Sequence, residues 1–515
     1  MDAPNDTISP LIHLEARLRN LLPAKLYAGV WINPTVRNLT RVFNHLRTLQ
    51  RILYDYLPRQ VLTDLPLPGQ TRFTWEEGTL MFTDLAGFTP LLEANASHGK
   101  EGAQVLLDVL NGYFAEMLGI VSKAGGNLLE FTGDALLVQF PTDRKHSDTS
   151  RAVRAALRMQ RAMQQYEKIE VLGEQHSLGM RVGLHVGQFL TADVGTPQRM
   201  EHVLLGSSVL GAKHAEGAGK VERVSLSLAA QERVATHFKF EEHGDEHVLA
   251  VDNFTEEQLG DYDIIPSRHR LPSLILFDTS KEGLVQAIAD AIDKVEPLAS
   301  YLPRGVLKLL VENAANRRLP PDFPFATVMF INLLGLPDML ADQDEASAQE
   351  VIATFSRVVS LINAEVEARG GIMKKVTYHH AGPDIMVIFG VPDSHTNDTS
   401  RAAQAALSIR EIVEDLGELS IGEHHSQLTC HIGIANGRVF AAEFGEPQGR
   451  REFNVMGNVV NTAARLMDFA KSNQILLTEG AQEDLQAEFE SKKLEGVTLK
   501  GLSTTLTLYE LGQAR

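Results

Sequence analysis

Leu80 to Thr89 reads L-M-F-T-D-L-A-G-F-T, and Val328 to Pro337 reads V-M-F-I-N-L-L-G-L-P. Each is a short apolar run that meets a glycine at the same point, the pattern of a buried strand running into a turn. The two differ where chemistry would sit, because Asp84 of the first is Asn332 in the second. The likeness extends outward from there. Y-L-P-R-Q-V-L from Tyr56 returns as Y-L-P-R-G-V-L from Tyr301, and T-S-R-A-V-R-A-A-L from Thr149 returns as T-S-R-A-A-Q-A-A-L from Thr399. The chain is a tandem duplication with complementary losses. Such a pattern predicts one composite site between two folded halves.

The order of elements in each copy predicts the fold class. The first copy opens on the strand T-L-M-F-T-D, continues into a helix over 105–124, and then has two apolar strands flanking Thr132-Gly133-Asp134. A helix over 150–166 and the strand M-R-V-G-L-H-V-G come next. Strand, helix, strand, strand, helix, strand is the βαββαβ, ferredoxin-like order of a helix-backed antiparallel sheet, an α+β class. The expected divisions are an N-terminal helical arm over 1–72, a first domain over 73–278, a linker over 279–322 and a second domain over 323–515. In the arm, Leu39, Val42, Phe43, Leu46 and Leu49 form a stripe at helical spacing, which predicts a helix packed on the first domain.

Bulk properties exclude several classes. The 515 residues are 44% hydrophobic and 22% charged, ordinary for a globular protein, and the formal charge of −18 argues against a nucleic-acid partner. A single cysteine, Cys430, rules out an internal disulfide framework and fits a reducing compartment. We expect no membrane span and no signal peptide, hence a cytoplasmic chain.

Asp84 lies just after a strand and Asp134 sits in a hairpin turn, so adjacent antiparallel strands can bring both to one sheet edge. Converging carboxylates there would hold Mg²⁺ or Mn²⁺, hard cations that take oxygen ligands and share them with substrate phosphates. Each aspartate also has a plain alternative, a helix cap for Asp84 and turn chemistry for Asp134. Gly87-Phe88-Thr89 opens a helix after Asp84, where main-chain N–H groups suit a phosphate, and Arg181 could reach the same triphosphate. In the second copy Asn461 and Arg465 lie four apart, on one helix face. Their first-copy counterparts are Leu210 and His214, while Lys375 stands opposite Glu130 and Asn454 opposite Val203.

F-T-D-L-A-G-F-T, F-T-G-D-A-L-L and M-G-N-V-V-N-T-A-A-R resemble the motifs of class III nucleotidyl cyclases, in particular the tandem soluble adenylyl cyclases. The resemblance covers residues 73–515. It implies that Asp84 and Asp134, assisted by the backbone carbonyl of Leu85, hold two metal ions, and that Arg181 contacts phosphate. It further implies that Lys375 and Asn454 read the base, Asn461 orients the ribose and Arg465 stabilises the transition state. A lysine can donate to adenine N1 and an asparagine carbonyl can accept from the N6 amine, which favours ATP, with a guanylyl cyclase or a catalytically inactive nucleotide-binding sensor as the alternatives. The halves then pair within one chain, as a monomer. Soluble relatives answer to bicarbonate through a lysine and an arginine whose positions here are Glu130 and Lys213. A carboxylate there, paired with Lys213, would repel the anion, so the expectation is weak or absent bicarbonate stimulation.

Overall fold

The computed structural model describes residues 11–143, 147–260, 278–336, 345–379, 382–421, 424–445, 450–497 and 506–515. Two sheets with the same strand order form its frame. Across the first, the strands run Asn127–Thr132, Ala135–Pro141, Arg72–Ala86, Gly179–Thr196, Val224–Ser227, His247–Ala250 and Phe240–His243. Across the second they run Ile372–His379, Gly382–Phe389, Phe325–Leu334, Thr429–Arg438, Ile475–Thr478, Leu506–Ala514 and Phe489–Val497. One neighbouring pair in each sheet is parallel, Gly179–Thr196 with Val224–Ser227 and Thr429–Arg438 with Ile475–Thr478. A parallel pair needs a crossover; it contains the helix Ser207–Ala218 in the first half and Asn458–Phe469 in the second. The α+β duplication read from the sequence is the observed architecture.

The helix expected over 105–124 spans Gly99–Lys123, because Phe88–Ala96 precedes it with only a short turn between. By length and composition alone this helix is apolar enough to cross a membrane. Its Leu106, Leu110, Tyr113, Phe114 and Met117 are instead buried in the core of the first half.

The arm corrects a second expectation. Thr35 caps the helix Val36–Tyr56 by accepting from the Asn38 N–H, and its stripe of Leu39, Val42, Phe43, Leu46 and Leu49 is buried as read. That stripe packs on the connector helix Lys281–Ala299 and shares a core with Ala326, Val328, Ile388 and Ala435 of the second sheet. The helix Val36–Tyr56 thus packs on the connector and the distant half, while Gln60, further along the arm, reaches the first domain by donating to Gln139 Oε1 at 3.1 Å.

Crosswise ties between the halves explain this. Tyr56 donates its hydroxyl to Glu443 Oε2, and Arg450 donates to the Tyr56 carbonyl, both across to the second half. In mirror fashion the Tyr301 hydroxyl donates to Asp193 Oδ1 at 3.0 Å, and Arg199 Nη1 to the Tyr301 carbonyl at 3.2 Å. Each half carries a hairpin, Gly179–Thr196 with Arg199–Leu205 in the first and Phe440–Gly445 with Arg451–Met456 in the second, and Asp193 and Glu443 hold matching positions in them, opposite His202 and Phe453. The repeated Y-L-P-R motif is therefore the hook by which each copy grips the other's hairpin.

Those hairpins also exchange apolar surface. Leu190, Ala192, Val194, Val203 and Leu205 of the first half are buried among Val351, Phe355 and Val359 of the second. Phe440, Ala442, Phe444 and Met456 of the second half join the core around Phe114 and Phe131 of the first.

Candidate active site

The antiparallel register of Arg72–Ala86 on Ala135–Pro141 ends at Thr83 opposite Leu136. Asp84 is the next residue on one strand, and Asp134 lies just outside the other, in the Gly133-Asp134 turn. Gly133 takes φ +67° and Gly87 φ +88°, left-handed conformations that glycine adopts without steric cost. The N-cap residue of the helix Phe88–Ala96 is Gly87, so Asp84 is not its cap. Phe88 is buried and Thr89 exposed at that helix N-terminus.

Burial and then the charge of Asp84 push Asp134 up to about 7, with Glu216 adding to the effect. Glu216 is likewise pushed up to about 7 by burial and by Asp84. Such mutual repulsion is what a hard cation relieves, and the donors expected of the site, two carboxylates and the Leu85 carbonyl, are all oxygens. The residues fit Mg²⁺ or Mn²⁺ on that chemistry. Among the described residues no group of three or more His, Cys, Asp or Glu side chains is arranged as a metal site.

Arg181 is engaged with carboxylates of its own half. It faces Asp84 across the strands Arg72–Ala86 and Gly179–Thr196, and its Nη2 donates to Asp84 Oδ2 at 2.6 Å. Its Nε lies 2.7 Å from Glu216 Oε1, an ion pair without hydrogen-bond alignment. Arg181 is thus held between two carboxylates. Glu216, absent from the sequence reading, had no signal there, since its approach depends on how the helix Ser207–Ala218 crosses the sheet.

The second half reaches this corner from across the interface. Lys375 Nζ lies 2.6 Å from Glu130 Oε1 and also donates to the Phe131 carbonyl, on the strand that leads into Asp134. A Cβ built on Gly133 would stand 3.8 Å from the sulfur of Met456, the residue before the Gly457 cap of the helix Asn458–Phe469. On that helix Asn461 is exposed and Arg465 half-buried. Asn454 is buried; its Oδ1 accepts from the Val455 N–H at 2.9 Å, and its Nδ2 has no partner.

The ion pair expected between Glu130 and Lys213 is replaced by one between Glu130 and Lys375. Lys213 instead donates to the Tyr378 carbonyl at 3.1 Å, with its ammonium 5.7 Å from the Phe82 ring centre. Burial lowers its pKa against the pull of Glu130 and Asp384.

The corresponding corner of the second half has lost both carboxylates. Matched register puts Asn332 in the place of Asp84 and Pro383 in that of Asp134. Asn332 Nδ2 donates to Asp384 Oδ1 at 2.7 Å, so the amide closes on its own sheet edge. A cavity of about 100 Å³ lies between the halves, lined by Arg199, Glu201, Lys374, Arg450 and Glu452 among others. Of the proposed site residues it touches Lys375 alone. Burial favours the neutral form of Glu452, but Lys374, Lys375 and Arg450 outweigh it and hold its carboxyl down at about 2.

This duplicated sheet, with a carboxylate-bearing corner in one copy and a lysine of the other reaching the strand beside it, defines a paired-domain nucleotidyl cyclase fold. The adenylate and guanylate cyclase catalytic domain profile matches residues 73–259 and 321–513, and the chain belongs to that family. It is 24% identical over 454 residues to adenylate cyclase type 10 of Oryctolagus cuniculus and 23% over 426 to that of Homo sapiens, covering 84% and 80% of this chain. The chain spans about a quarter of the length of these curated relatives. A crystal structure of a class III adenylyl cyclase-like ATP-binding protein from Pseudomonas aeruginosa is similar at 15% identity and a TM-score of 0.54, covering 86% of this chain and 93% of that one.

Proposed function

We propose that this chain is an adenylyl cyclase that converts ATP to 3′,5′-cyclic AMP and pyrophosphate at one composite site. The observation that carries the reading is the reach of Lys375 across the interface to the Glu130–Phe131 segment, a few residues from Asp134. It joins the base-reading candidate to the hairpin that bears a metal-ligand candidate.

In this reading Asp84, Asp134 and the Leu85 carbonyl hold two Mg²⁺ or Mn²⁺ ions. When bound, such ions lower the pKa of the ribose 3′-hydroxyl and neutralise the departing pyrophosphate. The hydroxyl attacks the α-phosphorus of its own nucleotide, so alignment of the ring governs the rate, and in this reading Asn461 orients the ribose. Arg465 offers a planar fork of donors to the charge that builds on the α-phosphoryl oxygens. Main-chain N–H groups at Gly87, Phe88 and Thr89 receive the phosphates, joined by Arg181 once it leaves Asp84.

Asn454 favours a second reading, guanylyl cyclase activity. Its carbonyl is engaged and its free amide N–H₂ is a donor, which suits guanine O6, whereas the adenine N6 amine needs an acceptor and hence the opposite amide orientation. Turnover of ATP and of GTP by the purified chain with Mg²⁺ or Mn²⁺ decides between them. Nucleotide binding without any turnover would contradict both.

A further inference from the structure

Glu130 and Lys375 descend from one ancestral position, on the equivalent strands Asn127–Thr132 and Ile372–His379. Both strands carry a register shift at that point, between Leu128 and Glu130 in the first and between Met373 and Lys375 in the second. A bulge re-aims the side chain it carries, and here the two meet across the interface.

Nζ of Lys375 and Oε1 of Glu130 are 2.6 Å apart, with both side chains only 13% exposed. Thr132 Oγ1 donates to the same Glu130 oxygen at 3.2 Å, which steadies the carboxylate. An ammonium has three donors. Lys375 donates one of them to the Phe131 carbonyl, and its ion pair with Glu130 draws the ammonium to the same side, both partners lying in the first half. The donors turned away from them are left for a ligand.

We propose that Glu130 is a specificity-determining positioning residue. It fixes the ammonium of Lys375 from the opposite half, so that the N–H turned away from that half is the donor presented to the nucleotide base. Base selection is then assembled from both halves, as the chemistry is. A lysine on a flexible stem without this anchor would offer its donors in several directions and discriminate poorly between the acceptor of adenine N1 and the acceptor of guanine O6. The proposal rests on Lys375 being a base contact.

The test uses the full chain and compares Glu130→Ala, Glu130→Gln, Lys375→Ala and the Glu130→Ala/Lys375→Ala pair. It records kcat and KM for ATP and for GTP, and the binding of a non-cyclisable ATP analogue by calorimetry. We expect Glu130→Ala to weaken ATP binding about tenfold, the usual scale for losing a charge-assisted partner, and to erode nucleotide preference while kcat changes little. Glu130→Gln, which keeps an acceptor without the charge, should recover part of the loss and shows the effect if the alanine variant fails to fold. Adding Glu130→Ala to Lys375→Ala should cost nothing further, since the carboxylate acts through the lysine.

If Lys375→Ala alters nucleotide affinity and preference but neither Glu130 variant does, the proposal is wrong and the base-reading role of Lys375 stands. If Lys375→Ala alters neither, that role fails and the proposal fails with it. Equal losses for ATP and GTP, with a lowered melting temperature, would reduce Glu130 to a structural ion pair and overturn the proposal as well.

Discussion

Asp384 is a buried carboxyl on the second sheet's edge, bonded to the Asn332 amide. Burial pushes its carboxyl up to about 8, with Asp468 adding and the Asn332 hydrogen bond and Lys213 opposing. The ordinary value is 3.8, so the folded chain holds this proton more tightly than the unfolded chain. The resulting stability is complete below about pH 4 and is lost as pH rises through 8. Asp384→Asn should therefore raise the melting temperature at pH 9, by about 1 °C per kcal/mol regained in a chain of this length, with little change at pH 4. Equal shifts at both pH values in thermal melts would rule out titration as the cause. On the catalytic side, Asp84→Ala or Asp134→Ala should abolish Mg²⁺-dependent turnover while circular dichroism stays native; substantial activity in either would remove the metal assignment. Arg465→Ala should lower kcat about 10²–10³-fold with far less effect on KM, because its donors gain most as charge develops. A change mainly in KM would move Arg465 into ground-state binding.

The elements most in need of tertiary explanation are the two Y-L-P-R hooks. Each lies between a helix and its cyclase sheet, and each bonds a carboxylate on the other copy's hairpin. Removing a buried hydroxyl that donates to a carboxylate costs about 1–3 kcal/mol. Glu443 would keep Arg451 alone after Tyr56→Phe, whereas Asp193 keeps both Arg72 and His202 after Tyr301→Phe. Tyr56→Phe should accordingly lower the melting temperature more than Tyr301→Phe. The reverse order would show that the hooks do not carry the stability assigned to them. The motif was plain in the sequence as a repeat, yet its purpose was not, since a tyrosine with Leu-Pro-Arg after it says nothing about which hairpin it will meet.

At the level of the whole chain, neither half closes its own core. Each hairpin buries apolar side chains in the opposite half, and burying one such side chain fully stabilises by about 1.5–3 kcal/mol. Expressed separately, residues 73–259 and 321–513 should self-associate through these surfaces and show no turnover, whereas co-expression should let them copurify with partial activity. A monomeric, active second half would refute the composite site, because it carries Asn332 and Pro383 where the carboxylates are needed.

The sequence by itself determined the duplication, the strand and helix order, the buried stripe of the arm, and the places of Asp84 and Asp134 at a strand end and in a hairpin turn. These are written in local periods and in turn residues, which depend on neighbours a few positions away. Tertiary structure alone decided that the arm helix Val36–Tyr56 rests on the distant half, that Arg181 is clamped between Asp84 and Glu216, that Asn454 keeps its carbonyl for its own backbone, and that Lys375 pairs with Glu130. Each of these depends on which remote segments come within a few ångströms of one another, and no short-range pattern in the chain encodes that meeting.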